Sequence, residues 1–285
     1  MAEITFGLVV EPQHWSWTEN VEQWQMGEEV GFDSIWLNDH FHSLGDNLDN
    51  PAFEASTTFA ALAMLTTRPK IGVLTYGNTH RIPPILFKEV VTVDHMSGGR
   101  VIFGIGAGWN EPEHAAYSIP FPGAGERVAR LDEALAILKE VEQNDRTNFD
   151  GQFYKLVDTP FEPKPVNGRL PILIGGNKPK MLKVIGKYAD IWDSSIPPAE
   201  WKVSFDTIRG HAKDAGRDPD AIYGSARVWF GDETDDEVAQ KVRDYHAVGV
   251  RQFLVKQPPD RRNIDRIPHI METVLKPLKA ELGSS

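Results

Sequence analysis

The sequence predicts a (β/α)8 TIM barrel, an α/β fold, with an insertion between the fourth and fifth strands. Short runs rich in β-branched residues alternate with helical patterns along the chain, which is typical of a parallel sheet. Eight such runs occur, and eight parallel strands close into a barrel. The length of 285 residues is normal for one barrel, so we expect a single domain over residues 1–285. An open eight-stranded sheet is the alternative.

The predicted strands are short and largely aliphatic. They cover residues 4–10, 34–37, 71–75, 101–105, 172–174, 191–192, 226–230 and 252–255. Helix signals frame the intervening segments: two capping boxes, a proline pair at a helix start, and glycines at helix ends. These are Ser16 with Glu19, Thr234 with Glu237, Pro83-Pro84, Gly31 and Gly98-Gly99. Between the fourth and fifth strands, one apolar helical stripe consists of Val128, Leu131, Leu135 and Leu138.

The connection between the fourth and fifth strands is unusually long. It spans residues 106–171, whereas one helix and two loops need roughly half of that length. Asp150-Gly151 lies between two β-leaning runs, which predicts a hairpin over residues 147–156. A proline-rich stretch, residues 160–171, follows. Because long insertions near barrel mouths carry function, we expect this one to shape access to the substrate.

Composition excludes several classes of protein. The chain has no cysteine, which excludes disulfides, thiolate metal sites and cysteine nucleophiles. The formal net charge of −11 argues against nucleic acid or an anionic membrane as partner. The first ten residues lack a signal-peptide pattern, and no run reaches the length of a membrane span. We therefore expect a cytoplasmic protein whose partner is a small-molecule substrate.

The second predicted strand ends in a polar cluster, residues 38–42. Active sites of such barrels lie at the carboxyl ends of the strands. His40 beside Asp39 is therefore a candidate general acid or base that works near neutral pH. The alternative is a loop histidine next to a helix-capping aspartate. His40 and His42 also have the spacing of a metal-binding pair, but later strand ends supply no further histidine, so we predict no metal.

Glycines follow the fourth and fifth predicted strands. Gly106 and Gly108 alternate with other residues, which lets a ligand approach the backbone closely. The string lacks the third glycine of a dinucleotide-binding fingerprint. Gly175, Gly176 and Asn177 lead into a helix, whose free N–H groups bind anions. A tight βα turn is the alternative. The sixth strand is followed by two hydroxyls that we expect to share the same phosphate, Ser194 and Ser195.

Several strings resemble those of the bacterial-luciferase-like oxidoreductases, and among them the group that uses the deazaflavin coenzyme F420. In family order they are residues 31–36 (GFDSIW) with 39–41 (DHF), 72–81, 94–100 (DHMSGGR), 104–109 with Glu113, 121–127, 150–154 (DGQFY), 174–176 and 188–192. Each string is common by itself. Their order and spacing over residues 1–260 are specific.

The resemblance implies a redox ring in the barrel mouth, backed by a cis peptide that maps onto Leu74 and Thr75. It implies that Gly175 and Gly176 bind the cofactor phosphate, and that Gly106 and Gly108 line the wall. It also implies that His40 handles the substrate's proton while the ring carries the hydride, with Asp39 orienting that histidine and contacting the cofactor edge. Glu113 is the second candidate for the proton-handling role.

The resemblance leaves alternatives open. One is an FMN-dependent monooxygenase, which takes reduced FMN from a partner reductase and activates O₂. Another is a non-catalytic flavin-binding barrel. The compact length and the Asp39-His40 pair favour coenzyme F420. Relatives that oxidise sugar phosphates carry a glutamate where this chain has Trp109, which favours a more apolar or aromatic substrate. The resemblance also implies a homodimer.

Overall fold

A computed structural model describes residues 3–44, 47–258 and 263–283, and it confirms the closed barrel. The strands are β1 (Thr5–Val9), β2 (Ser34–Leu37), β3 (Lys70–Val73), β4 (Tyr76–Gly77), β5 (Val101–Gly106), β6 (Arg146–Asp150), β7 (Lys155–Pro160), β8 (Ile172–Gly175), β9 (Ile191–Asp193), β10 (Tyr223–Trp229) and β11 (Val250–Lys256). Eight parallel strand positions pair in the order β3-β2-β1-β11-β10-β9-β8-β5, and pairing of β3 with β5 closes the ring. The third position is divided between β3 and the short β4.

The helices form the outer layer and follow the predicted signals. They are α1 (Trp17–Val30), α2 (Ala55–Leu65), α3 (Pro83–Ser97), α4 (Glu111–Ala116), α5 (Ala124–Gln143), α6 (Pro179–Tyr188), α7 (Pro198–Asp214), α8 (Asp235–Ala247), α9 (Arg266–Ile270) and α10 (Lys276–Gly283). A 3₁₀ turn, Pro219–Ala221, precedes β10, and a π-type turn, Met271–Leu275, joins α9 to α10. Both predicted capping boxes are present, at the starts of α1 and α8, because each pairs a hydroxyl with a glutamate three residues later.

A small apolar cluster fills the barrel interior beneath the mouth, and Trp36 is its largest member. Its buried members come from six strands: Val9, Trp36, Ile102, Leu173, Ile191 and Leu254. The Trp36 indole N–H donates to the Ser34 hydroxyl at 2.8 Å. A Cβ on Gly72 would lie 2.4 Å from Trp36 Cζ3, so the absence of a side chain there makes room for the ring. The site is thus built on a packed floor rather than over an open pore.

The insertion contains the predicted hairpin, β6 paired antiparallel with β7. The hairpin packs on the outside of the barrel, where the Glu133 carboxylate of α5 accepts N–H bonds from Gln152, Phe153 and Tyr154. No hairpin residue lines the mouth cavity. The hairpin therefore does not form part of the cavity wall. The earlier part of the insertion, from Ala107 through α4 to the start of α5, supplies that wall instead.

The third barrel strand is interrupted, since the Leu74–Thr75 peptide is cis, as predicted. The predicted strand 71–75 therefore ends at Val73 and resumes at Tyr76. The neighbouring β5 accommodates this bulge with glycine. A Cβ on Gly104 would lie only 1.9 Å from the Val73 carbonyl oxygen, which no flexible side chain can relieve.

Replacing Gly104 with alanine should therefore destabilise the barrel by about 2 kcal/mol or more, because backbone must move to admit the methyl group. Gly210 is the matched control, since it lies within α7 with nothing within 4 Å of an added Cβ. Gly210→Ala should raise stability by roughly 0.5–1 kcal/mol, the helix-propensity gain. Urea unfolding of both variants measures the difference, and equal free energies of unfolding would contradict the packing argument.

Candidate active site

A cavity of about 450 Å³ lies at the carboxyl ends of the barrel strands, within the usual size range for small-molecule sites. Ten of the twelve site residues predicted from the sequence line it. These are Asp39, His40, Leu74, Thr75, Gly106, Gly108, Glu113, Gly175, Gly176 and Asn177. The predicted residues therefore converge on one cavity, although they come from four different strand ends and from α4.

The Asp39 carboxylate is buried and bonded on all sides. Its Oδ2 accepts the Gly77 N–H at 2.9 Å and faces His80 Nδ1 at 3.0 Å. The Arg81 guanidinium donates to both carboxylate oxygens, at 2.9 to 3.0 Å. Asp39 thereby fastens the turn after β4 to the end of β2. This contact makes it a structural centre of the mouth.

The surroundings of Asp39 keep it ionised. Burial by itself would raise the pKa of this carboxyl group, but the His80 hydrogen bond and the Arg81 charge outweigh burial and lower the pKa to about 2. Arg81 in turn pairs with Glu54, with their charged atoms 2.5 Å apart. The result is a buried but neutralised network, as buried charges require.

His40 is oriented by Glu113 and not by Asp39, which corrects the prediction. Its Nδ1 lies 2.9 Å from Glu113 Oε2, and Glu113 is fully buried. The other carboxylate oxygen accepts the Phe41 N–H. The Asp39 carboxylate instead contacts Gly77, His80 and Arg81. Burial would raise the pKa of Glu113, but the His40 hydrogen bond and charge contribute most to a net lowering.

The fixed Nδ1 contact defines what His40 can do. A carboxylate accepts, so Nδ1 carries the proton in the neutral ring and Nε2 is left as the acceptor. No partner occupies Nε2 within residues 3–44, 47–258 and 263–283. The ring lines the cavity and meets Trp109 edge to face, with centroids 5.7 Å apart. His40 is therefore poised to exchange one proton with a molecule in the cavity.

Sequence reasoning missed His80, whose ring connects the two buried acids. Its Nδ1 contacts Asp39, and its Nε2 lies 3.7 Å from Glu113 Oε2. The signal that could have indicated it is the position of His80 and Arg81 directly after the third strand. A further histidine, His114, is fully buried in α4, where its Nε2 lies 2.7 Å from the Thr79 hydroxyl.

The sixth barrel strand contributes Asp193 to the cavity, and not the predicted Ser194 and Ser195. Ser194 N–H donates to the Ser225 carbonyl, and the Ser195 hydroxyl accepts the Arg227 N–H. Strand alternation explains Asp193 and Ser194, because Ile191 of β9 points into the barrel and Asp193 shares its face. Ser195 lies beyond the end of the strand. Burial raises the pKa of Asp193. The positive charge of Arg227, whose Nε lies 3.3 Å from Asp193 Oδ2, partly offsets this increase.

On the cavity wall formed by Gly175 and Gly176, the backbone rather than side chains faces the cavity. Gly175 and Gly176 precede α6, which begins at Pro179 without a side-chain cap and so leaves first-turn N–H groups free. Gly176 has φ of +124°, a conformation that side chains disfavour. Lys178 and Arg127 line the same region. These residues therefore form a candidate anion-binding site, which we call the anion seat.

Gly106 and Gly108 line the cavity, but packing within the chain also requires them. A Cβ on Gly106 would lie 2.8 Å from the Thr75 hydroxyl, and one on Gly108 would lie 2.2 Å from that of Thr79. The absence of side chains at Gly106 and Gly108 therefore lets β5 and the residues after it pack closely against the interrupted third strand and the turn that follows it.

Within the described ranges, no group of three His, Cys, Asp or Glu side chains is placed to hold a metal ion. No helix in those ranges combines the length and apolar character needed to cross a bilayer.

Comparison with known proteins gives one family. The sequence profile described as luciferase-like monooxygenase matches residues 4–271. An F420-dependent glucose-6-phosphate dehydrogenase of Amycolatopsis mediterranei is 34% identical over 175 residues, 60% of this chain and 51% of that protein. A 5,10-methylenetetrahydromethanopterin reductase of Methanolobus tindarius is 26% identical over 237 residues, 83% of this chain and 67% of that protein. The chain spans about half the length of the first relative.

A solved structure shares the fold over nearly the whole chain. It is an F420-dependent secondary alcohol dehydrogenase in complex with an F420–acetone adduct, with a TM-score of 0.88 and 18% identity. The superposition covers 97% of this chain and 99% of that one. At this identity the likeness establishes the shared barrel.

The pKa of Asp39 predicts a specific acid sensitivity. A carboxyl group whose pKa is lowered on folding stabilises the protein above its unfolded value, 3.8, and this contribution disappears as the pH falls towards about 2. The loss should be on the order of 2 kcal/mol. Asp39→Asn should remove this part of the pH dependence of the free energy of unfolding, whereas Asp49→Asn, at an exposed position, should leave it in place. Parallel pH profiles for wild type and Asp39→Asn would contradict the assignment.

Proposed function

Since the chain belongs to the luciferase-like monooxygenase family, we propose that it is an oxidoreductase that transfers a hydride between coenzyme F420 and a small organic substrate. The observation that carries the proposal is the His40–Glu113 pair at the wall of the mouth cavity. Hydride exchange between an alcohol and a carbonyl also moves a proton, and the ring carries only the hydride. A positioned acid–base group is therefore required, and His40 has that position.

The cavity fits a flat ring with an anionic extension. The cis peptide between Leu74 and Thr75 forms one wall, and Gly106 leaves the adjacent backbone bare. Gly175 and Gly176 would hold the phosphate, because they lead to the uncapped start of α6. When bound, the deazaflavin would supply or accept the hydride. The wall residues would position it and exclude water.

His40 and Glu113 would manage the proton. During alcohol oxidation, His40 Nε2 accepts the hydroxyl proton, and the resulting imidazolium is stabilised by the Glu113 carboxylate at Nδ1. During carbonyl reduction, the same nitrogen returns the proton. Asp39 holds His80 and the strand-three turn, so its proposed role is positioning rather than proton transfer.

The substrate is proposed to be a small, largely apolar alcohol or carbonyl compound. Trp109 is two-thirds exposed and lines the cavity beside His40, so the space next to the proton-handling group has an aromatic wall. The acetone adduct in the structurally similar dehydrogenase agrees with a carbonyl–alcohol pair. We also propose that a flavin or deazaflavin reductase supplies the cofactor.

We also propose a homodimer, as the family resemblance implies. Large apolar side chains are exposed on α2 and α3: Met64, Leu65, Ile85 and Met96, with Ile82 at the α3 N-cap. An exposed apolar surface of this kind is typical of a subunit interface.

Substitution of His40 tests the proton-handling role. His40→Asn should leave folding and cofactor binding intact and lower turnover by roughly 10²- to 10⁴-fold, the usual contribution of general acid–base catalysis. His95→Asn is the control, because His95 lies on α3 and contacts the Lys164 carbonyl, away from the cavity. Steady-state kinetics with coenzyme F420 and a panel of alcohols and ketones measures both variants. Unchanged turnover in His40→Asn would transfer the role to Glu113 or to solvent.

Cofactor titration tests the choice of ring. Coenzyme F420 should bind at least roughly tenfold more tightly than FMN, a difference of about 1.4 kcal/mol. Lys178→Glu should weaken that binding, because it reverses a charge at the anion seat, while Lys202→Glu on α7, paired with Asp206, should not. Tighter binding of FMN would favour the FMN-dependent monooxygenase. No binding of either ring would contradict the proposal.

A further inference from the structure

The His80 side chain lies between the two buried carboxylates of the mouth. It belongs to the turn after β4, and only 3% of the side chain is exposed. Its Nδ1 lies 3.0 Å from Asp39 Oδ2, and its Nε2 faces Glu113 Oε2 at 3.7 Å. The same Glu113 oxygen lies 2.9 Å from His40 Nδ1. One carboxylate oxygen therefore has an imidazole ring on each of two sides, although the proton transfer proposed above uses only His40.

Only the imidazolium form of His80 can donate towards both carboxylates. A carboxylate accepts hydrogen bonds, so the Asp39 contact requires a proton on Nδ1. In the neutral ring, Nε2 would then turn a lone pair towards Glu113 Oε2. In the imidazolium, Nε2 carries an N–H as well, and the positive charge attracts both acids. Nε2 is therefore the position at which His80 gains and loses a proton.

The charges around His80 leave Glu113 dependent on the two histidines. The Arg81 guanidinium, from the same turn, donates to the Asp39 carboxylate. Among the described residues, the buried Glu113 carboxylate forms ion pairs only with the rings of His40 and His80. The positive charge available to Glu113 at close range is therefore the charge that these two rings carry.

The pKa values of the two acids show the influence of His80. Burial raises the pKa of both carboxyl groups. For Asp39, the hydrogen bond from His80 is the largest of the effects that lower the pKa to about 2. For Glu113, the hydrogen bond and charge of His40 lower the pKa most, and the charge of His80 adds to them. Both rings therefore act on the same Glu113 carboxylate.

We propose that His80 is a positioning residue that adjusts how firmly His40 holds its proton, because both rings share the negative charge of Glu113. This role rests on the proposed function, since it concerns the same proton transfer. A protonated His80 attracts the Glu113 carboxylate, so the imidazolium that forms at His40 is stabilised less. His40 then returns its proton more readily. The two rings therefore titrate as one coupled pair and not as independent groups.

Such coupling suits a reaction that runs in both directions. Acid–base catalysis is most effective when the catalytic group gains and loses its proton near the operating pH. A buried carboxylate 2.9 Å from His40 favours proton uptake during alcohol oxidation, but it opposes return of the proton during carbonyl reduction. A positive charge on the other side of Glu113 offsets part of that stabilisation. His80 is placed to supply this charge.

Replacing His80 with glutamine tests this role. His80→Gln removes the titrating ring and keeps a hydrogen-bond donor for Asp39, because the amide NH₂ donates but carries no charge. Loss of the positive charge should move the limb of the pH profile that reports His40 to higher pH by roughly one unit, a usual effect of a neighbouring charge. Maximal turnover should remain far above that of His40→Asn. Steady-state kinetics with coenzyme F420 over a range of pH measures both quantities.

His114→Gln is the matched control. His114 is fully buried in α4, and the centroid of its ring lies 5.1 Å from that of His80. Its two nitrogens contact the Asn110 carbonyl and the Thr79 hydroxyl, which carry no charge. The substitution therefore disturbs the packing beside His80 without changing the ion pairs of Glu113. The pH profile of this variant should keep its wild-type position.

NMR titration of the imidazole nitrogens in the protein without cofactor tests the coupling separately from turnover. In wild type, a proton on either ring should shift the titration of the other, so His40 and His80 should each show two inflections. This measurement does not depend on the folding of any variant. In His80→Gln, His40 should show a single inflection at higher pH. Glu113→Gln should bring the two titrations closer to independence, because the shared negative charge is gone.

Independent titration of His40 and His80 in wild type, an unshifted pH profile in His80→Gln, or an equal shift in His114→Gln would overturn the role of His80 and leave the proposed function intact. Undiminished coupling in Glu113→Gln would overturn that role as well, because the coupling would then not depend on the shared carboxylate. Coupled titration in a wild type that does not turn over coenzyme F420 with any alcohol or ketone would instead overturn the proposed function, and with it any part of the pair in proton transfer.

Discussion

The buried carboxylate of Asp39 connects three parts of the mouth that are distant in sequence. It accepts from the Gly77 backbone at the end of β4, from the His80 ring and from the Arg81 guanidinium. Because a buried charge is tolerated only when paired and hydrogen-bonded, each of these partners is constrained in position. His80 in turn approaches Glu113, which fixes His40. Glu113 holds the proposed proton-handling group directly, and the Asp39 network lies behind it on the far side of the His80 ring.

The interrupted third strand is the second constraint on the mouth. The cis peptide at Leu74–Thr75 separates β3 from β4 and brings Val73 and Thr75 against β5. Only glycine at Gly104 and Gly106 leaves room for that approach. The glycines that leave this part of the cavity wall without side chains are therefore required by strand packing. A ligand that uses this wall exploits space that the fold requires for its own closure.

Local signals allowed much of the fold to be predicted, while the connections within the site were harder to foresee. Capping boxes, glycine stops and the Asp150-Gly151 turn act over a few residues, so they can be recognised in sequence. The His40–Glu113 contact joins residues 73 positions apart, and no local pattern specifies it. The position of Asp193 could have been predicted, because strand alternation from Ile191 assigns it to the barrel interior. The cis peptide was predicted from the family resemblance, because composition and periodicity do not indicate it.

The distribution of charge is compatible with the proposed anionic ligand, although the protein as a whole is acidic. The acids of the cavity wall, such as Asp39 and Asp193, are matched by arginines at close range. Beyond about 8–10 Å, salt screens the remaining surface charge, so an arriving anion responds mainly to nearby groups. Near Gly176 these are Lys178 and the N-terminus of α6, which has no side-chain cap. The net charge of −11 therefore does not decide what the mouth binds, because the field at the anion seat is set locally.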